Sequence, residues 1–117
     1  MAKFKIYHNP RCSKSRQTLE LLNQNNADVE IVEYLKEPPT AEELSNVIAA
    51  LGVSPQDVMR KKEAEYKEAG LDNSDLSEAK QIKLMTEYPK VIERPIVIKG
   101  KKAVIGRPPE NVLAFFK

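Results

Sequence analysis

A single cysteine, Cys12, in 117 residues removes disulfides from the means by which this chain can hold itself together. It also removes every zinc site built on paired cysteines. The fold must therefore come from buried apolar side chains, and a chain of this length can build one sizeable core. Hydrophobic residues make up 41% and charged residues 31%, the balance of a soluble globular protein. Apolar runs such as Val47 to Leu51 are far too short to span a bilayer, so no membrane partner is expected. Met1-Ala2-Lys3-Phe4 shows no apolar h-region, and a fold free of disulfides needs no oxidising compartment, so a cytoplasmic location is expected. The net charge of +2, from 19 Lys and Arg against 17 Asp and Glu, is too even for a nucleic-acid binder.

Hydrophobic periodicity predicts the elements. Lys3 to His8 reads as a strand that Asn9-Pro10 breaks. Ser13 to about Asn25 reads as a helix, with Leu19 and Leu22 at i, i+3 and Leu21 beside them. Val29 to Tyr34 reads as a second, mostly buried strand, stopped by Glu37-Pro38-Pro39. Thr40 and Glu43 have the spacing of a capping box, and Leu44, Val47, Ile48 and Leu51 form an apolar stripe that Gly52 ends. Short helices are predicted from Ser54-Pro55 and over Lys61 to Gly70. A longer one is predicted over Ser77 to Tyr88, with Ile82 and Met85 inward. Ile96 to Ile98 and Lys102 to Ile105 form a hairpin around Gly100-Lys101, and Pro108 to Phe116 closes the chain as a helix. Strand, helix, strand, several helices, hairpin, helix is the order of an α/β, thioredoxin-like fold: a mixed sheet flanked by helices, with a helical insertion over roughly residues 40 to 88.

Cys12 falls between a strand end and a helix start. Backbone N–H groups and the positive end of the dipole at a helix N-terminus stabilise an anion such as a thiolate. An ordinary thiol is only a few per cent thiolate near neutrality, and the helix start, His8 and Arg11 could each raise that fraction. The Ser13 and Ser15 hydroxyls could donate hydrogen bonds to the sulfur. The competing reading is a buried cysteine acting as a small hydrophobe, which the polar strand–proline–helix setting disfavours. His8 is the only histidine; it either caps the strand end or tunes the charge at Cys12. One His and one Cys fall short of a ligand set, so no metal is expected. Among the arginines, Arg60 ends a short helix, Arg94 precedes Pro95 at the start of a strand, and Arg107 lies between Gly106 and Pro108-Pro109. Guanidinium forks suit tetrahedral oxyanions, and each of the three is a candidate ligand for one.

Three segments carry a wider likeness: His8-Asn9-Pro10-Arg11-Cys12-Ser13-Lys14-Ser15-Arg16, then Glu93-Arg94-Pro95-Ile96, then Gly106-Arg107-Pro108-Pro109-Glu110, with Met59-Arg60-Lys61 between them. In that order and spacing they resemble the glutathione/glutaredoxin-dependent arsenate reductase (ArsC) family over essentially the whole chain. The resemblance implies one thioredoxin-like domain over residues 1–117. It implies an enzyme in which Cys12 attacks arsenate while Arg60, Arg94 and Arg107 hold the oxyanion and its adducts. His8 and Ser15 match the positions that help keep the cysteine as thiolate, and Pro95 matches the cis-proline beside the active cysteine. With no second thiol in the chain, an outside thiol must resolve the Cys12 adduct. The family implies glutathione as co-substrate and glutaredoxin as partner, with no bound cofactor. Arg11 and Ser13-Lys14 stand where one branch of the family has a small residue and Gly-Thr, so the chain is similar to a housekeeping-type branch.

Two other readings follow from the same residues. A glutathione-linked oxidoreductase for another substrate would use the same thiol and a similar arginine pocket. Spx-type regulators share the fold and bind RNA polymerase, but they carry Cys-x-x-Cys; Ser15 in place of the second Cys and the presence of Arg107 disfavour that reading.

Overall fold

The computed structural model describes residues 3–116. Four strands form one mixed sheet: β1 (Phe4–Tyr7), β2 (Val29–Val32), β3 (Ile96–Lys99) and β4 (Lys102–Ile105). Their spatial order is β2-β1-β3-β4. β1 and β2 run parallel, joined through helix α1 (Ser13–Gln24), whereas β3 is antiparallel to both β1 and β4. This is the mixed α/β architecture read from the element order.

Contacts divide the chain into two units. One combines the chain up to Glu37 with the stretch from Arg94 onward; the other is Pro38–Glu93. The second unit is wider than the predicted insertion of 40 to 88. The cause is at its end, where a 3-10 helix over Pro89–Val91 leads into an isolated bridge between Met59 and Ile92, flanked by Arg60 N–H to Val91 C=O (2.6 Å) and Glu93 N–H to Val58 C=O (2.7 Å).

In the sheet unit, Phe4, Ile6 and Val97 cover one face and pack with Leu22 of α1 and Val112 of the C-terminal 3-10 helix, Pro109–Phe116. Leu19, Leu21, Ala27, Val29 and Phe115 join at the margin. Phe4 meets Phe115 edge-on at 5.5 Å between centroids and stacks on Phe116 at 5.4 Å. The C-terminal segment is tighter than an α-helix. Its start is an i→i+3 turn, Asn111 N–H to Pro108 C=O, and the Asn111 side chain donates to Ile105 and Arg107 carbonyls.

β2 departs from the sequence reading. It lies at the sheet edge, pairs among the described residues only with β1, and leaves Ile31 half exposed at 50%. The alternating apolar pattern read as burial is here a strand with Glu30 and Glu33 beside an open edge, where acidic side chains discourage further strand pairing.

In the helical unit, α2 (Ala41–Leu51) packs on α4 (Glu78–Glu87). α2 starts with the predicted capping box, Glu43 N–H donating to Thr40 Oγ1, and ends at Gly52, whose φ of 72° suits glycine. Leu44, Val47, Ile48, Ile82 and Met85 are buried as their spacing implies. Of the charged stretch from Lys61 to Gly70, only α3 (Ala64–Glu68) is helical, with no buried residue. No helix among the described residues is long and apolar enough to cross a membrane.

Leu22 is fully buried where α1 meets both the sheet and the C-terminal helix. Leu22→Ala is expected to lower unfolding stability in urea by about 2–5 kcal/mol, the usual cost of a truncated core leucine. A loss well under ~1 kcal/mol would show that this interface is not the core of the unit.

Candidate active site

The sheet register determines where chemistry can gather. Tyr7 pairs with Ile96, and Ile96 with Ile105. The chain leaving β1, the chain entering β3 and the chain leaving β4 therefore meet at one end of the sheet. Those three segments carry His8 to Ser15, Arg94-Pro95 and Gly106-Arg107, all in the sheet unit.

Beyond β1, His8 N–H still reaches the Val32 carbonyl at 2.8 Å. The chain then turns. Cys12 N–H bonds the Asn9 carbonyl at 3.0 Å, and Arg11 N–H bonds Asn9 Oδ1 at 3.0 Å. Pro10 supplies the bend and the Asn9 side chain braces it, the usual chemistry of an Asx turn. Arg16, one helical turn on, ties back to Pro10 C=O through Nη1 at 2.9 Å. The turn delivers Cys12 to the N-cap of α1, with φ −93° and ψ 122°.

That position controls the thiol, which is partly exposed. Burial pushes the Cys12 pKa up. The Ser15 backbone N–H, the Arg94 charge, the Lys14 backbone N–H and a hydrogen bond from the Arg94 side chain together outweigh burial, and the net shift is downward. The helix start supplies two of the interactions that lower it, and Arg94 supplies the positive charge.

His8 and Ser15 are brought together in a different arrangement from the one expected. Both are buried, and Ser15 Oγ lies 2.6 Å from His8 Nδ1 while accepting the Asn9 N–H at 3.1 Å. The Ser15 hydroxyl is thus engaged with the turn, and Ser15 acts on the sulfur through its backbone. Burial lowers the His8 pKa, against an opposing pull from Glu33 and with a smaller push from Arg16. His8 therefore braces Ser15, and its burial works against a positive charge there.

Arg94 and Arg107 are joined directly, Arg107 Nη1 donating to the Arg94 carbonyl at 3.4 Å. The next pair inward is closed by Gly106 N–H to Pro95 C=O at 2.9 Å. The peptides before Pro95 and Pro108 are both cis. Arg60 belongs to the helical unit, where Nε lies 3.3 Å from Glu63 and Nη1 3.5 Å from Glu93. Sequence reasoning passed over Asn9 as an organiser of the loop, although Asn-Pro is a turn signal. It also passed over Thr18, which no motif marks.

Fold and site together define a thioredoxin-like protein with a cysteine at a helix N-terminus, Arg94 beside it and Arg107 in contact with Arg94. Residues 7–115 match the family model described as the ArsC family, and the chain belongs to that family. It is 53% identical over 110 residues to YfgD of Escherichia coli, described as uncharacterized, covering 93% of this chain and 92% of that protein. It is 49% identical over 109 residues to the arsenate reductase of Haemophilus influenzae, covering 92% of this chain and 94% of that one. Among solved structures, the arsenate reductase from Vibrio cholerae superposes with a TM-score of 0.92 at 45% identity, covering 97% of each chain.

Because only the thiolate reacts, the alkylation rate of Cys12 by iodoacetamide follows its ionised fraction. The rate should fall only as pH drops through a midpoint below that of an ordinary thiol. Arg94→Ala should move that midpoint upward. An unshifted midpoint in both proteins would contradict the electrostatic account of the site.

Proposed function

We propose that this protein reduces arsenate to arsenite with Cys12 as nucleophile. The observation that carries the reading is a cysteine with a lowered pKa at the N-cap of α1, within hydrogen-bond reach of Arg94, which Arg107 in turn contacts. A guanidinium beside the Cys12 sulfur, with a second arginine held next to it, suits a tetrahedral oxyanion that must approach an anionic nucleophile. The names of relatives that align over nearly the full chain support arsenate as that oxyanion.

The electrons balance as follows. The Cys12 thiolate attacks arsenic and displaces one As–OH group, which takes a proton from solvent and leaves as water, giving a thiol–arsenate adduct. A glutathione thiolate attacks the Cys12 sulfur; the S–As bond breaks, its electron pair stays on arsenic, and arsenite leaves. The resulting Cys12–glutathione disulfide is opened by a glutaredoxin thiolate, which restores Cys12. Two outside thiols supply the two electrons, consistent with a chain holding one cysteine. In this scheme Arg94 and Arg107 hold the oxyanion, and His8 and Ser15 keep the Cys12 turn in shape. Pro95 places Arg94 against the turn. Arg60 enters on the family resemblance, since in its own unit it is already paired with two carboxylates. Both outside thiols are cytoplasmic reductants, which agrees with a cytoplasmic location.

The test is arsenate-dependent NADPH oxidation in the presence of glutathione, glutaredoxin and glutathione reductase. Wild-type protein should turn over and Cys12→Ser should not. Arg94→Ala and Arg107→Ala should each lose about 10- to 100-fold in kcat/KM, as expected for a charge-assisted hydrogen bond. Arsenate turnover that survives Cys12→Ser would refute the mechanism. An inactive wild-type protein, beside an active known reductase, would refute the substrate.

A further inference from the structure

We propose that Thr18 is a positioning residue: its hydroxyl fastens the Gly106–Arg107 segment to the first turn of α1 and so sets Arg107 against the Cys12 turn. This rests on the reading of Arg94 and Arg107 as oxyanion ligands.

Thr18 lies two residues beyond Arg16 on α1 and is fully buried. Its Oγ1 sits 2.8 Å from the Lys14 carbonyl and 3.2 Å from the Gly106 carbonyl. The single hydroxyl proton is shared between a carbonyl of the helix that ionises Cys12 and a carbonyl of the segment that bears Arg107. Gly106 is held from its other side as well, its N–H donating to Pro95 at 2.9 Å. Arg94 and Arg107 are therefore the immediate neighbours of a three-residue clamp formed by Pro95, Gly106 and Thr18.

The closeness of the clamp requires glycine. A Cβ on Gly106 would stand 2.6 Å from Thr18 Oγ1, 2.8 Å from Thr18 Cγ2 and 2.9 Å from Pro95 Cγ. Its backbone is thus pressed directly on Thr18. Helix packing alone does not ask for a threonine here. Threonine is a modest helix former, and back-bonding to the i−4 carbonyl slightly weakens a helix. Valine would fill the same volume with no polar group to bury. The hydroxyl gains its purpose from the Gly106 carbonyl, 88 residues away in sequence.

The test compares wild type with Thr18→Val, which keeps the shape, and Thr18→Ser, which keeps the hydroxyl. Thr18→Val should raise KM for arsenate about 3- to 10-fold, the worth of one ordinary hydrogen bond, with kcat little changed. The pH midpoint of Cys12 alkylation should stay at the wild-type value. Thr18→Ser should restore KM. An unchanged KM in Thr18→Val, or a Thr18→Ser protein as impaired as Thr18→Val, would overturn the proposal in favour of packing. Thr18→Ala carries the same expectation if the valine variant does not fold. A second readout needs no substrate: amide exchange at Gly106 should quicken in Thr18→Val by more than any change in global stability explains. If wild type fails to reduce arsenate, the functional reading falls while faster Gly106 exchange still upholds the clamp; unchanged exchange overturns the clamp itself.

Discussion

The proposed chemistry depends on the contact between the Cys12 sulfur and the first turn of one helix. Burial by itself would make Cys12 a weak acid. The N–H groups of Ser15 and Lys14 and the guanidinium of Arg94 reverse that outcome. All of them act only if the Asn9-Pro10-Arg11-Cys12 turn delivers the sulfur to the N-cap of α1. Much of the local polar structure serves that turn: Asn9 braces it, Arg16 ties it back, and Ser15 joins it to a buried His8.

The sheet supplies the second requirement, which is to bring Arg94, with Arg107 against it, to the end of the sheet that carries Cys12. Arg94 and Arg107 stand just outside opposite ends of a hairpin, so strand pairing places them side by side, and Arg107 Nη1 donates to the Arg94 carbonyl. Antiparallel pairing of β3 with β1 then carries them to the end of the sheet where β1 releases the chain toward Cys12. A buried hydrogen bond and a glycine without room for a side chain complete the attachment. The site is built from loops, but their positions are inherited from rigid strands and a helix, which is how a scaffold gives loops fixed geometry.

Much of this was legible in the sequence because its signals are local. The Thr40–Glu43 capping box, the stop at Gly52, the Gly100-Lys101 hairpin and the start of α1 at Ser13 depend on neighbours in the chain, and each stands where its pattern implied. What escaped depends on long-range placement. The exposure of Ile31 follows from strand order, which periodicity does not encode. His8 and Ser15 stand out in the motif, yet their mutual hydrogen bond, and the lowering of the His8 pKa through burial, need three dimensions. Thr18 lies in an ordinary helix interior, and only the approach of Gly106 gives it meaning.

The central claim is that Cys12 passes electrons to arsenic and is left for an outside thiol to release. Intact-protein mass spectrometry after incubation with arsenate and glutathione, without glutaredoxin, tests it most directly. The account predicts arsenite together with a protein that carries one glutathione, mapped to Cys12. Continued accumulation of arsenite from a protein that never carries glutathione would contradict it.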